Sequence, residues 1–455
     1  MYKKIDSYRR KNCAGKYIYM LLLFLWCAYT APFLKPFDTQ YLFSSFIYVT
    51  IYLCYYIKFR LRKDHKPLII LLILFGTWYV AQCIKVSSVT LIDFRLLYSI
   101  ILCDISFYLY KGKEFFVYFE KVLFHLTLLS LVVWGLGVII PEIMRSIFDV
   151  ISVWSNGNTT YGNAIIVALG DQHSMGILRN IGFTWEAGRF SSFLVVGMFF
   201  SLLLHKMRTK GNYYFIVFLA GLISTVSTTG VVSCIGVFIL YLMNKRFRLK
   251  IYIITILLFL ILFLPYLWSM DFIGGKILEN ADVNQEIHNM SVSFENNRGS
   301  AITPQRITGL YLEFLNLMND FWLGYNLNKN SYTVSLFGGE ETWLSNGVIL
   351  ILSKYGILLG SVFYFLLFKS SKKLITDFGH KGSYLFALTF MLINVSYDFW
   401  SSGIFMHMVL YWLYCKYDTK LSVSNHNKYL LNNVLFKYLN NYSNLQFRKK
   451  YSHMP

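Results

Sequence analysis

The apolar runs of this chain decide its fold class before any motif does. Several reach the ~20 residues that an α-helix needs to cross the hydrocarbon core of a bilayer. One is LIILLILFGTWYVAQCI at 68–84, and another is FEKVLFHLTLLSLVVWGLGVII at 119–140. Of the 455 residues 56% are hydrophobic and only 15% charged. A soluble chain of this length carries more charge. The expected fold is an all-α polytopic integral membrane protein with about 12 transmembrane helices. The expected spans are 17–34, 41–57, 67–84, 94–110, 119–140, 188–204, 212–225, 229–243, 251–268, 343–368, 383–400 and 404–415. The run 343–368 is expected to break near Gly356, an interfacial helix leading into a shorter span.

Charge patterning tests that threading independently. With the N-terminus inside, the inside segments hold 31 of the 43 lysines and arginines. Every inside segment is basic, as the positive-inside rule requires. An error of one span would reverse the bias downstream. Both termini are therefore expected in the cytoplasm, with a mobile cytoplasmic tail at 416–455. The basic N-terminal segment and the apolar run after it lack a clear cleavage site and read as an uncleaved first span. The net charge of +20 is spread over short clusters between apolar runs. It does not form the basic stripe of a nucleic-acid-binding face, so no nucleic-acid partner is expected.

Two extracytoplasmic loops are long, 141–187 and 269–342, and 15 of the 23 acidic residues lie outside. Loops of this length are usually functional. None of the cysteines falls in either loop, which argues against a disulfide framework or a Cys-based zinc site. No His, Cys or acidic cluster has metal-ligand spacing, and no cofactor is expected.

The first loop returns to the membrane as RNIGFTWEAGRFSS, which places Arg179, Glu186 and Arg189 at the lip of an apolar run. Two arginines there can bind an anion, because guanidinium pairs bidentately with phosphate and stays charged. The plainer reading is an interfacial ion pair with one arginine reaching for headgroups. In the second loop Arg306 opens a helical pattern with Ile307, Leu310, Tyr311, Phe314, Leu317 and Met318 on one side. Such a helix should lie on the membrane or under the roof of the domain. Glu340 and Glu341 precede another apolar helix, where acidic residues also suit the helix dipole. Intramembrane Asp104, Glu120, His125, Lys354, Asp398 and His407 are either functional groups or interhelix hydrogen-bonding partners.

These features together resemble a family. Arg179, Gly182 and Glu186 are similar to the R-x-x-G-x-x-x-E stretch that opens a span in bacterial O-antigen and capsular oligosaccharide polymerases of the Wzy type, and in the related O-antigen ligases. Arg306 followed by LGYN at 323–326 resembles the second-loop arginine and its G-Y-G-like turn. ETWLSNGVILILSKYGILLG at 341–360 resembles the helix that follows. The layout of spans, two long outside loops and a paired-span turn at STVSTTG agrees with this family. Three features depart from it: Glu341 and Thr342 stand where a ligase has His, Asn326 stands where the turn has Gly, and the paired-span turn lacks an Arg that is frequent there.

The resemblance implies a glycosyltransferase in the bacterial inner (plasma) membrane. It would join polyprenyl-pyrophosphate-linked repeat units, donor and acceptor, into surface polysaccharide, either O antigen or capsule. Arg179, Arg189 and Arg306 would hold the pyrophosphate, and Glu186, Arg306 and Glu341 would be catalytic. Membrane lipid is a further partner, and the reading allows for a chain-length regulator protein. The alternatives are a ligase that transfers finished polymer, or a flippase or other transporter of lipid-linked oligosaccharide. A transporter of that kind would show internal repeats and short loops, and neither is visible here.

Overall fold

The structure is a computed structural model that describes residues 14–25, 66–86, 95–151, 163–164, 167–172, 177–184, 186–244, 283–296, 306–325, 346–395 and 397–417. The spans expected at 41–57 and 251–268, the acids Glu340 and Glu341, and the tail beyond Tyr417 lie outside these residues. Helices α1 (Ala14–Leu25), α2 (Lys66–Val86), α3 (Arg95–Leu109) and α4 (Glu114–Ile139) lead into the short amphipathic α5 (Pro141–Ile151). Strands β1 (Asn163–Ala164), β2 (Val167–Gln172) and β3 (Ile177–Gly182) follow. The chain continues as α6 (Ala187–Leu204), α7 (Tyr213–Ser224), α8 (Thr228–Met243), α9 (Val283–Asn296), α10 (Arg306–Asn319), α11 (Gly347–Asp377), α12 (Leu385–Asn394) and α13 (Gly403–Tyr417).

The fold is mostly helical. Among the described residues α2, α4, α6 and α11 are long and apolar enough to cross a membrane, and α1, α3, α7, α8 and α12 are shorter apolar helices. The centre of the bundle is α6, whose residues from Ala187 to Leu203 are all buried. It is apolar on every side, the pattern of a helix surrounded by other helices. Helices α4, α7 and α8 pack against it. Phe193 meets Phe399 and Phe405 edge-on or tilted, with ring centroids 5.7 and 5.2 Å apart.

The all-α expectation needs one correction. Strands β1, β2 and β3 form an antiparallel sheet in that order within the first long loop. The register pairs Gly170 with Arg179 and Leu169 with Asn180, with a bulge between Ala168 and Leu169. Neither VALGDQ nor ILRNIG alternates apolar and polar residues, so neither carries the strand signal in the sequence. The sheet is docked rather than free: Leu169 and Leu178 pack with Met144, Phe148 and Trp134, and the Trp134 indole donates to the Leu178 carbonyl at 2.9 Å.

A second correction concerns the span expected at 383–400. Helix α12 stops at Asn394, and residues 397–402 form a turn that buries Tyr397, Phe399 and Trp400. The cause is Asn394 itself. Its side-chain amide donates back to the Phe390 carbonyl at 2.8 Å, and its oxygen accepts the Phe399 amide at 3.1 Å. A helix is thereby ended by a polar group that satisfies both the last turn and the exit loop.

The break expected at Gly356 is present, with φ 72° and ψ 170°. It separates residues 347–355 from 357–377, and the two halves fold back on each other. The Tyr364 hydroxyl donates to the Val348 carbonyl, although sixteen residues of straight helix would span about 24 Å. A Cβ at Gly360 would lie 3.0 Å from the Ile351 carbonyl oxygen.

At the bundle end remote from the sheet, the helices are tied by polar contacts. Lys16 pairs with Glu114 at 2.5 Å, His205 with Glu120 at 3.1 Å, and the Tyr411 hydroxyl donates to Asp377 at 3.1 Å. Asn244 donates to the Lys381 carbonyl at 3.1 Å.

Candidate functional site

The turn from β3 into α6 gathers three of the residues expected at a site. Arg179 lies on β3 and its Nε donates to the Thr225 carbonyl at 3.0 Å. Burial pulls the proton affinity of this guanidinium down, while Tyr397 and Glu186 pull it up. An arginine keeps its charge under such a pull, so Arg179 is a partly desolvated fixed cation beside a carboxylate. Glu186 is the N-cap residue of α6 in extended conformation. Its carbonyl accepts the Arg189 and Phe190 amides at 3.1 Å each and the Thr184 hydroxyl at 2.8 Å. Arg189 is buried in the first turn of α6, and its guanidinium lies 5.2 Å from the centre of the Phe399 ring. A cation over an aromatic face is favourable, more so where water is excluded.

The neighbouring segments close round this group. Asn180, fully buried next to Arg179, donates to the Ser130 and Ser224 hydroxyls at 3.2 and 3.0 Å, and its oxygen accepts the Gly182 amide at 3.0 Å. It therefore fixes β3 to α4 and α7. After Thr225 comes Val226 with φ 47°, a strained conformation for a β-branched residue. The next residue, Ser227, caps α8 by accepting the Gly230 amide at 3.3 Å. It also receives the Ser191 hydroxyl of α6 at 3.2 Å.

The turn at 397–402 supplies the remaining wall. The Tyr397 hydroxyl lies so close to Gly188 that a Cβ there would clash with it. Asp398 accepts the Trp400 amide at 3.0 Å and the Ser401 hydroxyl at 2.9 Å. The Trp400 indole donates to the Gly347 carbonyl at 2.7 Å. Gly347 starts α11, and Asn346 caps that helix by accepting the Val348 amide at 3.0 Å while donating to the Val395 carbonyl at 3.1 Å. The N-termini of α6, α8 and α11 thus meet in one region. Each carries the positive end of a helix dipole, and two arginines border the same turn.

Arg306 is the first residue of α10, and its side chain lies outside the described residues, as does Glu341. Helix α10 packs along α11, so the second loop reaches the same helix whose start borders the turn. Helix α10 also carries a residue that sequence reading missed. Glu313 is fully buried and accepts the Ser353 hydroxyl and the Tyr325 hydroxyl, the latter at 3.3 Å. Burial pushes its carboxyl up to about 7, against the hydrogen bonds and the nearby Lys354 that favour the charged form. A single acid inside an amphipathic pattern gives no sequence signal of this kind.

The polar residues of the expected spans mostly have structural partners. Asp104 accepts the Tyr414 hydroxyl at 2.9 Å, His125 is 2.8 Å from the Tyr17 hydroxyl, and Glu120 pairs with His205. His407 is stacked between the rings of Phe107 and Phe115 at 3.8 and 3.6 Å. Among the described residues no three His, Cys, Asp or Glu side chains are grouped to hold a metal ion.

No protein-family model, no curated protein and no solved structure matches the chain.

Proposed function

We propose that this protein is a membrane glycosyltransferase that joins polyprenyl-pyrophosphate-linked oligosaccharide units into long surface polysaccharide. The observation that carries this reading is the meeting of Arg179, Arg189 and three helix N-termini around the turn at 397–402. Such a region favours a polyanion, because fixed dipoles and cations stabilise negative charge most where water is scarce.

In the proposed reaction a sugar hydroxyl of the acceptor attacks the anomeric carbon of the donor. A C–O bond forms there as the C–O bond to the pyrophosphate breaks, and the lipid pyrophosphate leaves with the electron pair. The hydroxyl proton passes to a carboxylate base, for which Glu186 and Glu341 are the candidates. Arg179, Arg189 and Arg306 stabilise the charge on the leaving group. The bond energy is already present in the donor, so no nucleotide is needed.

The reading includes twelve spans with both termini in the cytoplasm and the two long loops outside, in a bacterial plasma membrane. The hydrogen bonds at the two ends of the bundle support it. The ends of α2, α6, α7, α8 and α11 that the threading assigns to the outside lie with β3, the turn at 397–402 or the turn after α10. Those assigned to the inside meet among themselves at Glu114, His205, Asn244, Asp377 and Lys381.

The length profile of surface polysaccharide in a strain lacking the gene tests the proposal. Anchors bearing a single repeat unit support a polymerase. Full-length polymer retained on carrier lipid would instead assign a ligase, and single units trapped on the cytoplasmic face a flippase.

A further inference from the structure

We propose that α10 and the turn after it lie in the outer leaflet of the bilayer, with their exposed face against lipid acyl chains. This inference rests on α2 crossing the membrane with its Lys85 end outside, as in the topology proposed above, and not on the transferase chemistry. Ile307, Tyr311, Phe314, Met318 and Trp322 recur at helical spacing, and all are exposed, Trp322 at 64%. The opposite face carries the buried Thr308, Leu312, Glu313, Asn316 and Leu317 and packs on α11. A helix at the surface of a water-soluble domain places its polar residues outward. Here the polarity is reversed: the outward stripe is apolar and the acid, amide and hydroxyl face inward.

The depth of the turn after α10 follows from its bonds to α2. The Trp78 indole donates to the Leu323 carbonyl at 2.9 Å, and the Gln82 amide to the Gly324 carbonyl at 2.7 Å. Lys85, at the end of α2, pairs with Asp320. The helical rise between Trp78 and Lys85 is about 10 Å. The turn holding Trp322 is therefore level with the last two turns of a spanning helix, not above them. Those turns expose Val80 and Ile84, and the apolar face of α10 runs into the turn that is bonded to them. Lys85 and Asp320 mark the polar boundary, and Trp322 sits where an indole is favoured between headgroup and chain.

The test uses the full chain in vesicles of phosphatidylglycerol and phosphatidylethanolamine whose acyl chains carry a photoactivatable diazirine. Adducts are mapped by mass spectrometry, and a second sample is footprinted with hydroxyl radicals from the aqueous phase. The proposal expects acyl adducts on Tyr311, Phe314, Met318 and Trp322 in yields comparable to those on Ile73 and Val80, with little aqueous oxidation of Met318. Adducts on Ile73 and Val80 with none on α10, and oxidation of Met318, would place α10 in water and overturn the proposal. Protection of α10 from both reagents would mean that protein covers this face and would overturn it equally. Absence of adducts from α2 as well would remove the membrane premise itself.

Discussion

The Nε of Arg179 donates to the carbonyl of Thr225 at 3.0 Å, joining the first long loop to the strained turn between α7 and α8. A charged donor thus holds Thr225, Val226 and Ser227 in place, and Ser227 in turn caps α8. In the proposed mechanism Arg179 both binds the leaving pyrophosphate and positions its surroundings. Arg179→Ala is expected to lower polymer formation on the order of 10²–10³-fold, the usual cost of losing one transition-state donor. Arg179→Lys keeps the charge but lacks the planar fork, and should recover only part of that loss. Polymer length on gels, normalised to membrane abundance, measures both.

Arg306→Ala is expected to abolish polymer almost completely at normal membrane abundance, since a second-loop cation completes the proposed anion site. Near-normal chain length in that variant would remove Arg306 from the mechanism.

Gly188 and Tyr397 form a steric pair. A methyl group at 188 would clash with the tyrosine hydroxyl, so Gly188→Ala should destabilise the protein by about 1–3 kcal/mol, the usual cost of overpacking. Tyr397→Phe removes the clashing oxygen. The double variant should therefore be more stable than additivity of the singles predicts. Thermal unfolding in detergent, over a full mutant cycle, reads the coupling.

Gly324 and Gly356 interlock. Both have positive φ, 75° and 72°, and a Cβ on either would strike backbone atoms of the other segment. The Tyr325 amide donates to the Ser353 carbonyl at 3.0 Å, and the Ile357 amide to the Phe321 carbonyl at 2.9 Å. Alanine at either position combines a left-handed backbone penalty with a clash that no rotamer relieves. Both variants are expected to accumulate poorly in the membrane, as measured by immunoblot of membrane fractions.

Glu313 is expected to make the α10–α11 contact pH-dependent. Its carboxyl is raised from 4.5 to about 7 in the folded protein. The folded state therefore binds the proton more tightly than the unfolded state. The stabilisation is complete below the unfolded value and is lost as pH rises through about 7. The amplitude is on the order of 3 kcal/mol. Wild-type thermal stability should fall between about pH 5 and pH 8, and Glu313→Gln should flatten that slope. An unchanged slope in Glu313→Gln would assign the dependence to another group.

Most of the helices were legible because a long apolar run encodes an apolar helix. The break at Gly356 was legible for the same reason: the run exceeds one span and contains a glycine. The sheet was not, because VALGDQ and ILRNIG gain their strand conformation from docking on Trp134 and Phe148 rather than from local pattern. At the site, Arg179, Glu186 and Arg189 stood out as charges beside an apolar run. Tyr397, Phe399 and Asn180 did not, since aromatic and amide residues near span ends are common. Their significance comes from a turn that only the packing of α12 against α6 and α11 creates.

Glycan transfer can be followed with purified protein in vesicles, supplied with polyprenyl-pyrophosphate-linked repeat units and no nucleotide. A polymerase yields a ladder of lengthening lipid-linked glycan with release of one polyprenyl pyrophosphate per added unit, and Arg179→Ala is expected to lose it. Units that cross the vesicle membrane without being joined, or that remain unjoined on their carrier in the presence of wild-type protein, would contradict the proposed function.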